Sequence, residues 1–186
     1  MIIDIQDRLV ENQIKVPSLW RDSKHEKWFS NSNASKGAHG CHAYKIYLES
    51  KGYEVRIVSD KGDVEYKWPS LTVWIKAEVK ASKADLKVLT RPVGFVKEEL
   101  WFNQLRPKQK GWDEAVLVGC YPNHIRIWRM SRKDFDAKYK TMTSTKNCLS
   151  HVGTDELVGV SLVKNKKRDN FNEWECIHND QQGDLL

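Results

Sequence analysis

The chain is poor in the features that would mark it as secreted, zinc-stapled or membrane-embedded. Its four cysteines, Cys41, Cys120, Cys148 and Cys176, are widely scattered and form no Cys-x-x-Cys pair. That spacing argues against a structural zinc site and leaves reduced thiols of a cytoplasmic protein as the expectation. No apolar stretch approaches the ~20 residues needed to span a bilayer. The opening residues, Met1-Ile2-Ile3-Asp4-Ile5, carry neither the basic region nor the cleavage site of a secretory leader. Internal repeats and low-complexity tracts are absent too.

What remains is a chain of 186 residues, 40% hydrophobic and 30% charged. Such a chain is long enough to bury a core without disulfides, as one compact domain with a small appended element. Thirty-one Lys and Arg against 25 Asp and Glu give a formal charge of +6 and a pI near 9.1. An excess of that sign favours a polyanionic partner, because each neutralised phosphate releases condensed counterions. The basic residues are also concentrated locally, at Arg106, Lys108 and Lys110 and again at Lys164, Lys166, Lys167 and Arg168. Both patches read equally well as solvated loops.

Hydrophobic patterning predicts an α/β architecture. Residues 1–34 form a helical or irregular extension whose Trp20 and Trp28 either pack on the core or, flanked by Arg21, Lys24 and Lys27, stack on bases. Ser35–Ser50 has helical spacing, with Ala38, Cys41, Tyr44 and Leu48 near one face and Gly52 placed to end the helix. Strands are predicted at Tyr53–Val58, from Asp63 to Trp68, from Thr72 to Lys80, at Glu114–Cys120 and at His124–Met130. Glu114–Cys120 is almost wholly apolar, as a strand buried on both faces should be, whereas His124–Met130 alternates. Residues 97–105 fit either a helix or an extended segment. Ser131–Asp136 reads as a capped helix start, 140–155 as a polar loop, and Leu157–Val163 as a late strand. The sum is a mixed sheet of about five strands with helices on both sides.

The strand ending Glu78-Val79-Lys80 carries the chemistry. Alternation puts Glu78 and Lys80 on one face and Val79 on the other. With Asp63 upstream, two carboxylates supply the oxygen ligands that Mg²⁺ requires, beside a lysine able to position or deprotonate a water. Asp60 competes with Asp63 for the ligand role, but Asp63 leads directly into a strand. Glu65 shares its face by alternation and could add a ligand, though an exposed strand carboxylate is its ordinary reading. His39 and His42 sit three residues apart, a spacing that imitates a metal pair, but partial burial without metal is the expectation.

In this order of parts the chain resembles the PD-(D/E)-x-K nuclease superfamily, which includes restriction endonucleases and DNA repair nucleases. The resemblance rests on the helix from Ser35, the isolated Asp63, Glu78-Val79-Lys80-Ala81-Ser82, and the downstream Trp101–Pro107 and Trp112–Gly119 segments, with His124–Trp128 and His151-Val152-Gly153-Thr154 after them. It covers about residues 35–160. It implies a restriction-endonuclease-like fold over 35–178, with a tail at 179–186. It also implies that Asp63, Glu78 and the Val79 carbonyl hold Mg²⁺, for which Mn²⁺ substitutes, and that Lys80 orients the attacking water. Gln104, as a catalytic residue, and Arg106 match polar positions that contact phosphate or the metal-bound water. Many members carry a helical glutamate for a second metal; here His42 stands there, with Glu49 two turns on, so one- and two-metal mechanisms both stay open. The implied activity is Mg²⁺-dependent endonucleolytic cleavage of duplex DNA by a homodimer, in a prokaryotic cell or phage-infected host. A structure-specific repair or recombination nuclease and a non-catalytic DNA-binding domain are the alternatives. Gln182-Gly183-Asp184-Leu185-Leu186 resembles the short peptide by which bacterial DNA enzymes dock on the sliding clamp, which would favour the repair reading.

Overall fold

The computed structural model describes residues 20–30, 32–58, 63–88, 96–100, 102–105, 111–139, 149–152 and 174–179. Among the described residues three helices, α1 (Glu26–Ser30), α2 (Asn33–Ser50) and α3 (Arg132–Tyr139), flank a mixed six-stranded sheet ordered β1-β2-β3-β7-β8-β10. Its strands are β1 (Glu54–Ile57), β2 (Val64–Lys67), β3 (Ile75–Lys83), β7 (Glu114–Cys120), β8 (Ile125–Ser131) and β10 (Glu175–Asn179). Two further two-stranded sheets pair β4 (Asp85–Val88) with β5 (Val96–Glu99) and β6 (Phe102–Leu105) with β9 (Leu149–Val152). Among the described residues, no helix is long and apolar enough to cross a membrane.

The expected α/β class holds, but the main sheet has six strands rather than five. The sixth, β10, pairs antiparallel with β8 through a bulge between Cys176 and His178. Its sequence, Glu-Cys-Ile-His-Asn, lacks the apolar alternation that would have marked it. Residues 97–99 and 102–105 are extended, not helical, and the polar 140–155 stretch contains β9. The predicted late strand at Leu157–Val163 lies outside the described residues. β3 begins at Ile75 rather than Thr72, and the apolar Leu71 and Val73 before it are exposed. β8 does not alternate: Arg126, Ile127 and Trp128 are all buried, because the strand runs inside the sheet between β7 and β10.

Helix α2 opens on Ser32, whose hydroxyl accepts from the Ser35 N–H, and closes at Gly52 with φ +87°, a left-handed turn that glycine adopts without strain. It lies across the sheet on one face. Tyr44 and Leu48 are buried there as expected, but Gly40, not Ala38, completes the buried stripe, and Ala38 is exposed. β7 is buried along its whole length between parallel β3 and antiparallel β8. Trp112 and Trp128 join the core, whereas Trp74 is only partly buried and lies over the Arg56 guanidinium and the Lys67 ammonium. Trp20 and Trp28 are buried as well, with the Trp20 indole N–H donating to the Ala84 carbonyl at 3.3 Å. Their burial replaces the base-stacking alternative.

The core under α2 holds one carboxylate. Tyr44 donates its hydroxyl to Glu114 Oε1 at 2.6 Å. Burial pushes the Glu114 carboxyl above its ordinary range, and the hydrogen bonds from Tyr44 and Tyr66 only partly offset that. A carboxyl raised on folding contributes stability that is full below its unfolded pKa and is lost as pH rises through the folded value. Glu114→Gln keeps an acceptor for Tyr44 and removes the ionisation. Thermal melts against pH are expected to match wild type in acid and to exceed it at neutral pH. A wild-type advantage at neutral pH would count against this reading.

Candidate active site

The register of the β2–β3 hairpin builds the site. Glu65 pairs with Lys76 and Val64 with Ala77, after which the ladder stops. Asp63, the residue before β2, continues the pairing by other means. Its backbone N–H donates to the Ala77 carbonyl at 2.8 Å, and its carboxylate Oδ2 accepts from the Val79 N–H at 2.8 Å. Within a strand the N–H and C=O of one residue point the same way, so the Val79 carbonyl also faces the Asp63 side, beyond the end of β2.

Alternation sorts the side chains. Tyr66, Ala77, Val79 and Ala81 face α2, where Tyr44 meets Tyr66 edge-on and Gly40 abuts Ala81. Glu65, Lys76, Glu78 and Lys80 share the other face. There Lys80 Nζ donates to Glu78 Oε1 at 2.6 Å and lies 3.8 Å from Asp63 Oδ2. The lysine ammonium thus bridges two carboxylates that come from different strands. Glu78 is buried, whereas the Asp63 side chain is 37% exposed, so the cluster opens to solvent on the Asp63 side.

The electrostatics are those of crowded carboxylates. Burial raises the Asp63 carboxyl above its ordinary range; Lys80 pulls it down and Glu78 pushes it up again. Cys41 on α2 feels the same cluster. Its thiol is pushed up to about 12, first by burial and then by Asp63, with Lys80 partly opposing.

The donor set suits a hard divalent cation. It consists of two carboxylates and one backbone carbonyl, oxygen only, as Mg²⁺ prefers. Among the described residues no hydrogen bond occupies Asp63 Oδ1 or Glu78 Oε2, so each carboxylate keeps one oxygen for a ligand. No group of three or more His, Cys, Asp or Glu side chains with metal-holding geometry occurs among the described residues.

No protein-family model, curated protein or solved structure matches the chain. The site must be judged on its own geometry.

Asp63, Glu78, Val79 and Lys80 are brought together as the sequence predicts. Gln104 lies on β6, which packs against β3 and pairs with β9, the strand that carries His151. Arg106, Lys108, Lys110, Lys166, Lys167 and Arg168 lie outside the described residues, as do Asp60 and the Gln182–Leu186 tail. Glu65 is a structural carboxylate: it is buried and paired with Arg56 Nε at 2.7 Å and with Lys76 at 3.7 Å. Glu49 is exposed and pairs with Lys45 at 3.6 Å one helical turn away. His39 and His42 are exposed and line a separate cleft of about 440 Å³ with Trp28, Tyr47, Ile125 and His178. The residue that sequence reading missed is Cys41. It belongs to the Cys41–Tyr44–Leu48 stripe, and it is the α2 side chain whose thiol feels the charges of Asp63, Lys80 and Glu78.

Proposed function

We propose that this chain is a Mg²⁺-dependent endodeoxyribonuclease with a restriction-endonuclease-like fold, related in its site to the PD-(D/E)-x-K nucleases. The observation that carries this reading is the convergence of Asp63, Glu78 and Lys80 around the Val79 backbone. The order of helix α2, β1, β2 and β3, with the first acid at the entry to β2, supports it further. A purely binding domain would gain nothing from paired carboxylates on a surface meant for phosphates, since like charges repel.

Asp63, Glu78 and the Val79 carbonyl would hold the cation, with Mn²⁺ as a substitute. A bound divalent ion supplies Lewis acidity toward the phosphoryl oxygen and lowers the pKa of water. Lys80, held by Glu78 at 2.6 Å, orients the attacking water and offsets negative charge as it develops on phosphorus. In-line hydrolysis of this kind leaves 5′-phosphate and 3′-hydroxyl ends. Gln104 and Arg106 would approach the phosphate. Lys108, Lys110, Lys166, Lys167 and Arg168 would track the backbone, which positions DNA without reading its sequence.

The test is a panel of end-labelled substrates: linear duplex, branched and mismatched duplexes, single strands and RNA, each with Mg²⁺ or EDTA. Cleavage of duplex DNA in Mg²⁺ alone, with ligatable ends, is expected. Confinement to branched or mismatched forms would move the assignment to a repair or recombination nuclease. Tight binding with no cleavage in Mg²⁺ or Mn²⁺ would remove the catalytic assignment.

A further inference from the structure

Most cations around the sheet have a structural partner. Lys45, Arg56, Lys67, Lys76, Arg129 and Arg132 are each paired with a carboxylate. Lys36 and Lys83 form no ion pair among the described residues, and the fold brings them to the same level. Helix α2 runs antiparallel to β3: Gly40 abuts Ala81, and Tyr44, a turn later, meets Tyr66 and Glu114, which pair with Ile75 and Ala77. Lys36 lies one turn before Gly40, and Lys83 lies two residues beyond Ala81 on the same face of β3. Each is therefore about 6 Å from the Gly40–Ala81 contact, in the same direction. Both side chains are half-buried, and Lys83 is held in place. Its Nζ lies 3.4 Å from the centre of the Phe29 ring, which packs on Trp20, itself hydrogen-bonded to Ala84. Burial and the charge of Lys36 hold the Lys83 ammonium below its ordinary range, with the exposed Asp85 opposing. Two ammonium groups that repel one another are an unfavourable arrangement that an anion relieves.

The pair stands at the end of the sheet where the candidate site opens. The β2–β3 ladder stops at Ala77, and β3 runs on past Glu78 and Lys80 to Lys83. Lys83 is about 10 Å beyond Lys80 along the strand, which matches the rise of about three nucleotides in one DNA strand. Resting on the nuclease reading, we infer that Lys36 and Lys83 form a phosphate clamp, which holds the backbone of the bound strand about three nucleotides from the bond that is cut. They are positioning residues. Phosphate contacts read no sequence, so the clamp fixes how the strand passes Lys80 without selecting which strand it is.

Fluorescence anisotropy of a labelled duplex in EDTA, repeated over a range of KCl, tests the clamp without cleavage. Each phosphate contact removed lowers the slope of log affinity against log salt by about 0.9. Lys36→Gln/Lys83→Gln is expected to lower it by at least about that much, and Lys36→Gln alone to lower it in the same direction. Lys83→Arg, which keeps the charge and a cation able to lie on Phe29, is expected to keep the wild-type slope. So is Lys133→Gln, at an exposed lysine of α3, which starts beside the other end of β3. Thermal melts of all variants are expected to stay close to the wild type. A double variant that binds with the wild-type slope would overturn the clamp and leave the nuclease reading standing. An equal loss for Lys133→Gln would overturn it as well, by reducing the pair to general charge. A wild type that binds no DNA at any salt would overturn the nuclease reading, and the clamp with it.

Discussion

Lys80→Ala is expected to lower the rate of Mg²⁺-dependent DNA cleavage by on the order of 10²–10³-fold, the usual loss when one preorganised charge donor is removed. Within the described site Lys80 is the ammonium hydrogen-bonded to Glu78, and it lies near Asp63 as well. Its removal leaves the transition state without that positive charge. It also leaves the buried Glu78 without its counter-ion, so some loss of stability should accompany the loss of rate, and added Mg²⁺ should recover part of it. DNA affinity should change little, because one charge among many phosphate contacts is a small share of binding. Lys80→Arg should not restore activity, since a planar guanidinium fork cannot take the place of a compact ammonium between two carboxylates. Single-turnover cleavage and filter binding on one duplex separate these effects. Equal cleavage by wild type and Lys80→Ala would detach Lys80 from the chemistry.

The second large effect is expected at Gly40, buried where α2 meets β3. A Cβ built there lies 2.5 Å from Ala81 Cβ, and that methyl group is fixed to the β3 backbone and cannot swing aside. Gly40→Ala should raise helix propensity by about 1 kcal/mol. Against this, overpacking of a close contact costs about 1–3 kcal/mol. The steric cost should win, because relief requires α2 and β3 to separate. Separation acts one residue from Lys80, and misplacement of a catalytic group by about 1 Å can cost on the order of 10²-fold. A lower melting temperature together with slower cleavage is the expected result of denaturation and kinetic assays. A more stable and fully active Gly40→Ala would show that the helix–strand contact has slack.

The candidate site was legible in the sequence because strand alternation is a strict period. Once Thr72–Lys80 read as a strand, Glu78 and Lys80 had to share a face, and an upstream acid entering the neighbouring strand could reach the Val79 amide. The fold was legible where apolar pattern sets it, as in β7, whose bounds match Glu114–Cys120. It was not legible where pairing rather than composition makes the strand. β9 and β10 are short and polar, and they exist because β6 and β8 offer edges. The helical neighbour of the carboxylates was misread for a related reason. Helical phase is decided by where the backbones can touch, and with Gly40 against Ala81 Cys41 is partly buried within reach of the carboxylates' charge while His42 lines another cleft.

One comparison would decide whether Asp63, Glu78 and Lys80 form a metal-dependent hydrolytic centre. Wild type, Asp63→Asn and Glu78→Gln, each stripped with EDTA, are incubated with supercoiled plasmid while Mg²⁺ is titrated. Nicked or linear plasmid should accumulate with Mg²⁺ for the wild type, and both variants should stay near background at every concentration. Cleavage by either variant at the wild-type rate, or metal-independent cleavage by all three, would contradict it.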